Sequence, residues 1–536
     1  MKACFSAVAC TLAAATLVAY GRPEPNQATT AAHEIPGIAW KQAANDADVD
    51  AAFAQARADR KPVFVYWGAK WCPPCNQVKA TLFNRMDFIE RSRFFVPVYI
   101  DGDSPGAQKL GTRFKVRGYP TMVLFNSDGV ELTRLPGEVD ASLYTHVLTL
   151  GMSAQRPVKA VLADAKQGGS RLTPNDWKLL AFYSWETDEQ QVAAPKEQIP
   201  ALLQQLAAAC PTDQPDTATR LLLKAVAATD AKAAIKPDAK ASDRVIAVLS
   251  NPQQSRMHMD VLTNNAADIV RALSATKSAQ RAQLVEAFNA ALKRLEADTT
   301  LSRADRITAL QARVDLAKID QNKDDRALPR LPDALLADVK EHAARVDREI
   351  TDGYERQAVI TAAAYLLEEA GLLDESDALL KANLAKSHSP YYLMSELSSN
   401  AKKRGDKAGA LRWSQEAFDK SEGPATRLQW GASYVGALIE LAPEDEKRIE
   451  AAVSQLFAEA AAQPNAFYER SARSLQRVGA KLGEWNNSRA HAASIQRLKT
   501  QLDVVCAKLP SDDAQRGICK GVFQPADAKK LQGAVS

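Results

Sequence analysis

The stretch Pro62-Val63-Phe64-Val65-Tyr66-Trp67-Gly68-Ala69-Lys70-Trp71-Cys72-Pro73-Pro74-Cys75 decides the fold. Its first half is a short, uninterrupted run of β-branched and aromatic residues, which predicts a buried strand. Beyond Cys75, Val78, Leu82 and Phe83 fall on one helical stripe. The two cysteines therefore stand at a strand-to-helix turn. Cys72 is placed to cap the helix, and Pro73 to fill its first position, where a missing N–H costs nothing.

Chemistry follows from that placement. Disulfides are attacked by a thiolate, and the unpaired N–H groups at a helix N-terminus lower CxxC pKa values into the range of about 3.5 to 7.5. On this reading Cys72, the N-terminal and more exposed member, is the attacking nucleophile. Cys75, one turn inside, resolves the mixed disulfide. Two other readings stay open. A CxxC can be half of a zinc site, although no second CxxC or nearby His pair completes it here, or it can be a structural staple.

Three segments carry a resemblance to a known family. Val65 to Cys75 matches an active-site strand and loop. Val96-Pro97-Val98-Tyr99-Ile100-Asp101 matches the next parallel strand. Phe114-Lys115-Val116-Arg117-Gly118-Tyr119-Pro120-Thr121, followed by Met122-Val123-Leu124-Phe125, matches a loop that carries a cis-proline. Residues 36–150 thus resemble a thioredoxin domain, nearest to the soluble domains of bacterial thiol:disulfide interchange proteins. The likeness covers about a fifth of the chain.

It implies an α/β fold with a mixed sheet flanked by helices, redox-active Cys72 and Cys75, and a substrate-binding rim of Trp71, Tyr119, Pro120 and Thr121. Pro120 must precede the strand at 121–125, because proline is excluded from central strands. Two positions depart from the pattern. Tyr66 stands where the family has a buried acid, and Pro97 where it has the accompanying lysine. Loss of the acid puts the rate of resolution by Cys75 in doubt; loss of both partners avoids stranding one buried charge.

A chain of 536 residues is too long for one core. With 46% hydrophobic and 25% charged residues its composition is globular, and a net charge of +4 with balanced signs gives no reason to expect nucleic acid. Lys2, the uncharged stretch 3–20 and Ala19-Tyr20-Gly21 read as a secretory signal at 1–21, cleaved to leave a periplasmic or secreted protein in which disulfides persist. A retained anchor and lipidation at Cys10 are the alternatives. A flexible leader at 22–36 precedes the domain at 37–152. Helices are expected at 46–60 (Val49, Phe53 and Ala56 inward), 85–95, 107–114 and from an Asp140 cap to about 150. A hairpin turn is expected at Asn126-Ser127-Asp128-Gly129.

From 153 onward apolar residues recur at helical spacing. The chain is expected to be all-α over 153–350 and tetratricopeptide-like over 351–536, a helical-repeat solenoid or, for 153–350, an irregular bundle. Breaks fall at 211–215, 236–238 and 321–325. Gly371 and Gly405 stand 34 residues apart, the tetratricopeptide period, with Ala410, Leu411, Ala417 and Phe418 at matching small and apolar positions. Such an array would bind a protein partner on a concave face. Cys506 and Cys519 are expected to pair as a staple worth about 3 kcal/mol. Cys210 is left as a small buried hydrophobe. Trp177, Trp185, Trp413 and Trp430 read as helical core. The six scattered His residues form no metal constellation, and no cofactor is implied. The leading expectation is an extracytoplasmic thiol–disulfide oxidoreductase acting on protein thiols. The alternative is a helical-repeat binding protein with a vestigial thioredoxin module.

Overall fold

Val63–Gly68, the strand read from the motif, lies near the centre of a five-stranded mixed sheet of order β1-β3-β2-β4-β5. The strands are β1 Lys41–Gln42, β2 Val63–Gly68, β3 Val96–Asp101, β4 Thr121–Phe125 and β5 Glu131–Leu135. This computed structural model describes residues 37–137, 140–188, 192, 199–229, 240–321 and 329–524. The secretory signal, Cys10, the leader and the breaks read at 236–238 and 322–325 lie outside the described residues. β1 and β2 run parallel to β3; β4 runs antiparallel to β2 and β5.

Every residue of β2 and β4 is buried, because helices cover both faces. Successive side chains alternate between those faces. Val63, Val65 and Trp67 pack with α1 (Asp46–Asp59) and α4 (Ala107–Phe114). Phe64 and Tyr66 pack with α2 (Pro73–Thr81), α3 (Met86–Arg91) and α5 (Ala141–Met152). Val49, Phe53 and Ala56 point inward from α1, as their spacing predicts.

The strand read over 96–100 forms as expected, Pro97 within it, and one local expectation, the Asp140 cap, is corrected. Proline does occur in an inner strand: Pro97 lies in β3 opposite Phe64. Val96 N–H donates to Pro62 O at 2.8 Å, so the next nitrogen faces the other edge, where β1 pairs only from Val98 onward. No ladder bond is lost there. Asp140 does occupy the N-cap position of α5, but its side chain does not cap the helix. The carboxylate turns to Ser142 and to Arg256, 3.3 Å away in the helical region.

From Val158 onward the described residues form helices and turns, with no strand among them. Gly371 and Gly405 both have φ +79°. Each ends one helix (Gly353–Glu369, Pro390–Lys403) and starts the turn into the next (Leu373–Asn383, Lys407–Lys420). Glycine reaches this left-handed conformation without strain. One apolar cluster runs from Ala304 to Leu397, across residue 350. Trp177, Trp185 and Trp430 are buried, Trp413 is half-buried, and Cys210 is a buried free thiol. A disulfide joins Cys506 and Cys519, with Cα atoms 5.6 Å apart.

Candidate active site

β2 ends at Gly68, and Ala69-Lys70-Trp71 turn the chain into α2. Cys72 is the N-cap residue of α2, its Sγ accepting a hydrogen bond from Cys75 N–H at 3.2 Å, and Pro73 opens the helix. Since β4 runs antiparallel to β2, its first residue, Thr121, lies beside Trp67 at the same end of the sheet. The Tyr119–Pro120 peptide there is cis. The Thr121 hydroxyl donates to Gly118 O at 3.0 Å. Tyr119 stacks on Trp67 at 5.9 Å between ring centroids and meets Trp71 edge-on at 5.9 Å. Trp71, Cys72, Cys75, Tyr119, Pro120 and Thr121 are thus gathered at one end of one sheet.

The helical region sits on this end. α2 packs along the helix Gly353–Glu369, and α4 against the helix Glu469–Trp485. The Trp71 ring lies edge-on to Trp430 at 5.0 Å and stacks with Tyr392 at 5.9 Å. Gln357 donates to the Trp71 carbonyl at 3.4 Å, and His388 Nε2 hydrogen-bonds the Lys70 carbonyl at 3.0 Å. Arg470 N–H donates to Gln108 Oε1 at 2.9 Å. Cys72, expected as the more exposed member, is 3% exposed and Cys75 0%, so both are buried, because the chain's own C-terminal helices cover the motif.

One contact explains how the cover is seated. The helix Pro424–Leu441 begins after Gly423, which has no side chain to cap it. Asp103, in the loop after β3, supplies the cap. Its carboxylate accepts from Thr426 N–H at 2.8 Å and from the Thr426 hydroxyl at 2.6 Å. A carboxylate at a helix N-terminus is favoured by the dipole and by the unpaired N–H groups. Gly423 has φ +91°, and a Cβ there would stand 2.6 Å from Asp103 Cγ, so only glycine permits this approach. Burial nonetheless raises the Asp103 pKa to about 6, against the two Thr426 hydrogen bonds.

Burial also sets the thiol electrostatics. It pushes the Cys72 pKa well above its ordinary value, reinforced by the Cys75 thiol and opposed by Arg470. The expected lowering at the helix N-terminus is thus reversed in the closed arrangement. Cys75 is lowered instead. Burial works against this, but the Cys72 thiol, the Ala69 backbone and the Tyr66 hydroxyl all hydrogen-bond its ionised form. Tyr66 is 1% exposed and stacks on Tyr99 at 5.3 Å. Its hydroxyl donates to the Cys75 carbonyl at 3.5 Å. Burial, then the two thiols, hold its pKa well above the ordinary phenol value, so it is a neutral donor beside the pair and not a base.

Tyr392, Trp430 and Arg470 are the site neighbours that sequence reasoning missed. Trp430 was expected as helical core, and it is, but the core it joins includes Trp71, Cys72 and Cys75. Nothing local marks such residues, since their role arises from docking between segments more than 300 positions apart.

The fold and this site define a class. Residues 49–150 match the family model of the thioredoxin-like domain, and the chain carries such a domain. Within that class it is similar to the thiol:disulfide interchange protein DsbD of Pseudomonas fluorescens, at 30% identity over 128 residues, 23% of this chain and 21% of that protein. It is also similar to the thiol:disulfide interchange protein DsbD 1 of Pseudomonas aeruginosa, at 31% over 111 residues, 19% of this chain and 18% of that one. The chain spans about a fifth of the length of these curated relatives. A solved circular tandem repeat protein aligns over 68% of this chain and 78% of its own, at 12% identity and a TM-score of 0.16, too low to carry an argument.

Proposed function

We propose that this chain is an extracytoplasmic thiol–disulfide oxidoreductase whose exchanging pair is Cys72 and Cys75. The observation that carries the reading is Cys72 at the N-cap of α2, with Cys75 N–H on its sulfur and the cis Tyr119–Pro120 peptide at the same sheet end. The Cys72 thiolate attacks a client disulfide, one client sulfur bonds to Cys72, and the other leaves as a thiolate. Cys75, deprotonated, then attacks Cys72 Sγ, closes the Cys72–Cys75 disulfide and expels the second client thiolate. Two electrons pass to the client, and a donor dithiol returns them. Trp71, Tyr119 and Thr121 flank the client. The secretory signal at 1–21, the domain at 37–152, and helical regions at 153–350 and 351–536 complete the proposal.

A second reading is favoured by the burial of both thiols beneath the C-terminal helices. On that reading the helical region binds a protein partner, and the thioredoxin-like domain is a docking module with residual chemistry. The two are separated by reduction of a generic disulfide with the full chain. Exchange predicts activity that Cys72→Ser abolishes, and mixed-disulfide adducts that Cys75→Ser traps on non-reducing gels. Equal rates in wild type and Cys72→Ser would leave the binding reading standing.

A further inference from the structure

The helix Glu469–Trp485 carries Arg470 and Arg473 against the thioredoxin-like domain, and helical spacing puts Arg477 on the same face. Arg473 pairs with Glu469 at 2.9 Å and donates to the Arg117 carbonyl at 3.1 Å. Glu469 is also held by the Thr112 hydroxyl at 3.0 Å. Arg470 hydrogen-bonds the Tyr119 hydroxyl, but among the described residues no carboxylate lies within ion-pair distance of it. Its guanidinium sits 4.4 Å from the centre of the Trp71 ring and 4.6 Å from that of Tyr119. Its Nη1 group is buried without a hydrogen-bond acceptor.

Arg470 is half-buried with its Nη1 atom enclosed, a partly desolvated cation without an ion-pair partner carries a cost, and the arginines crowd one another. Burial, with Arg470 among the neighbouring charges, holds Arg473 and Arg477 below the ordinary arginine range. The nearby anion Asp103 is turned to Thr426. Asp103 still feels the Arg470 charge; the further negative charge this pocket can generate is a thiolate of the pair that follows Trp71 directly in sequence. Arg470 favours the ionised form of Cys72.

We propose that Arg470 is the counter-charge of the thiolate formed by the Cys72–Cys75 pair, supplied from the C-terminal region. Arg470 then offsets part of the penalty that burial beneath the cover places on the Cys72 thiolate, and the thiolate in turn helps to hold Arg470 in place. The coupling is reciprocal. Oxidation of the pair removes its charge, leaves Arg470 unneutralised beneath the cover, and loosens the helix Glu469–Trp485. Arg470 is a positioning residue in this scheme. The proposal rests on the pair being the site of exchange, but its test needs no turnover.

The other titratable groups facing the pair or Arg470 are Tyr66 on β2, Lys79 on α2, Tyr99 on β3, Tyr119 before β4, Tyr392 on the helix Pro390–Lys403, and Asp103. The four tyrosines are held above the ordinary phenol range by burial and stay neutral. Asp103, at about 6, is replaced by Asn in a parallel set. The measurement is the pH profile of Cys72 and Cys75 alkylation by iodoacetamide in the reduced full chain, for wild type, Arg470→Gln and Arg470→Lys. The midpoint is expected to rise by roughly one pH unit in Arg470→Gln, a tenfold loss of thiolate below it. Arg470→Lys should recover at least half of that shift. An unmoved midpoint overturns the proposal, as does a Lys variant indistinguishable from Gln. A second arm needs no variant and so survives a folding defect. Hydrogen exchange over 469–485 is compared in wild type, reduced and after oxidation by a cyclic dithiane disulfide, which takes the two electrons and leaves as the dithiol. Faster exchange in the oxidised form is expected, and equal protection overturns the coupling.

Discussion

Tyr66 occupies the place where the family resemblance expects a buried acid, and its surroundings define what an acid there would do. It is enclosed by Tyr99, Phe83 and Trp40, with the two thiols beside it. A carboxylate in that setting would be desolvated, with its pKa pushed upward, and could take a proton from Cys75 near neutral pH. Tyr66→Asp is therefore expected to speed resolution of a Cys72-linked mixed disulfide. It is also expected to lower Tm by several degrees, since Pro97 provides no lysine to pair with it. A stopped-flow resolution rate and a thermal melt on the same preparation check both halves. A folded Tyr66→Asp that resolves no faster would mean that another group already serves as base.

Elements that depend on local signals were legible in the sequence, and those that depend on distant partners were not. α1 follows from the spacing of Val49, Phe53 and Ala56, and α2 from Cys72-Pro73 at its start. The hairpin between β4 and β5 follows from Asn126, whose side chain accepts from Asp128 and Val130 N–H. β1 was missed because it is two exposed residues whose strand character comes only from pairing with Val98 and Tyr99. The cap of the helix Pro424–Leu441 was missed because the carboxylate that accepts its hydrogen bonds, Asp103, lies over 300 residues upstream. That cap makes a pH-dependent element. The Asp103 pKa in the closed form is about 6, above its ordinary value of about 3.9. Closure therefore binds a proton between those values, is most stable below them, and loses stability as pH rises toward 6. Hydrogen-exchange protection at the start of this helix, corrected for intrinsic rates, should be higher at pH 4.5 than at pH 7 in wild type. It should become independent of pH in Asp103→Asn. Persistence of the dependence in Asp103→Asn would assign it to another group.

At the scale of the molecule, the thioredoxin-like domain and the helical region pack as one unit from Ile38 onward, with the motif at their junction. On the proposed exchange, a client segment that lies along Tyr119-Pro120-Thr121 competes with the Trp430, Tyr392 and Arg470 cover over Trp71 and Tyr119, while a small disulfide needs only a brief local opening. The chain is therefore expected to reduce a small aromatic disulfide faster than a folded protein disulfide. Trp430→Ala should narrow that gap by raising the protein rate several-fold, with a stability loss of about 3–5 kcal/mol for the lost ring. Parallel rates on the two substrates read this directly; a gap unchanged in a folded Trp430→Ala would place the barrier elsewhere.

The separation in sequence between Cys72 and Trp430 also sets an order of events at birth. Ribosomes add about 5–20 residues per second, so the motif emerges on the order of half a minute before the ring that covers it. Throughout that interval the nascent chain carries a thiol pair without its lid, in whatever compartment receives the growing polypeptide. The mature protein is guarded by its last third, and the unfinished one is not. Synthesis rate, and the rare codons or pauses that alter it between positions 75 and 430, thereby become determinants of how much of each molecule meets adventitious disulfides before the cover exists.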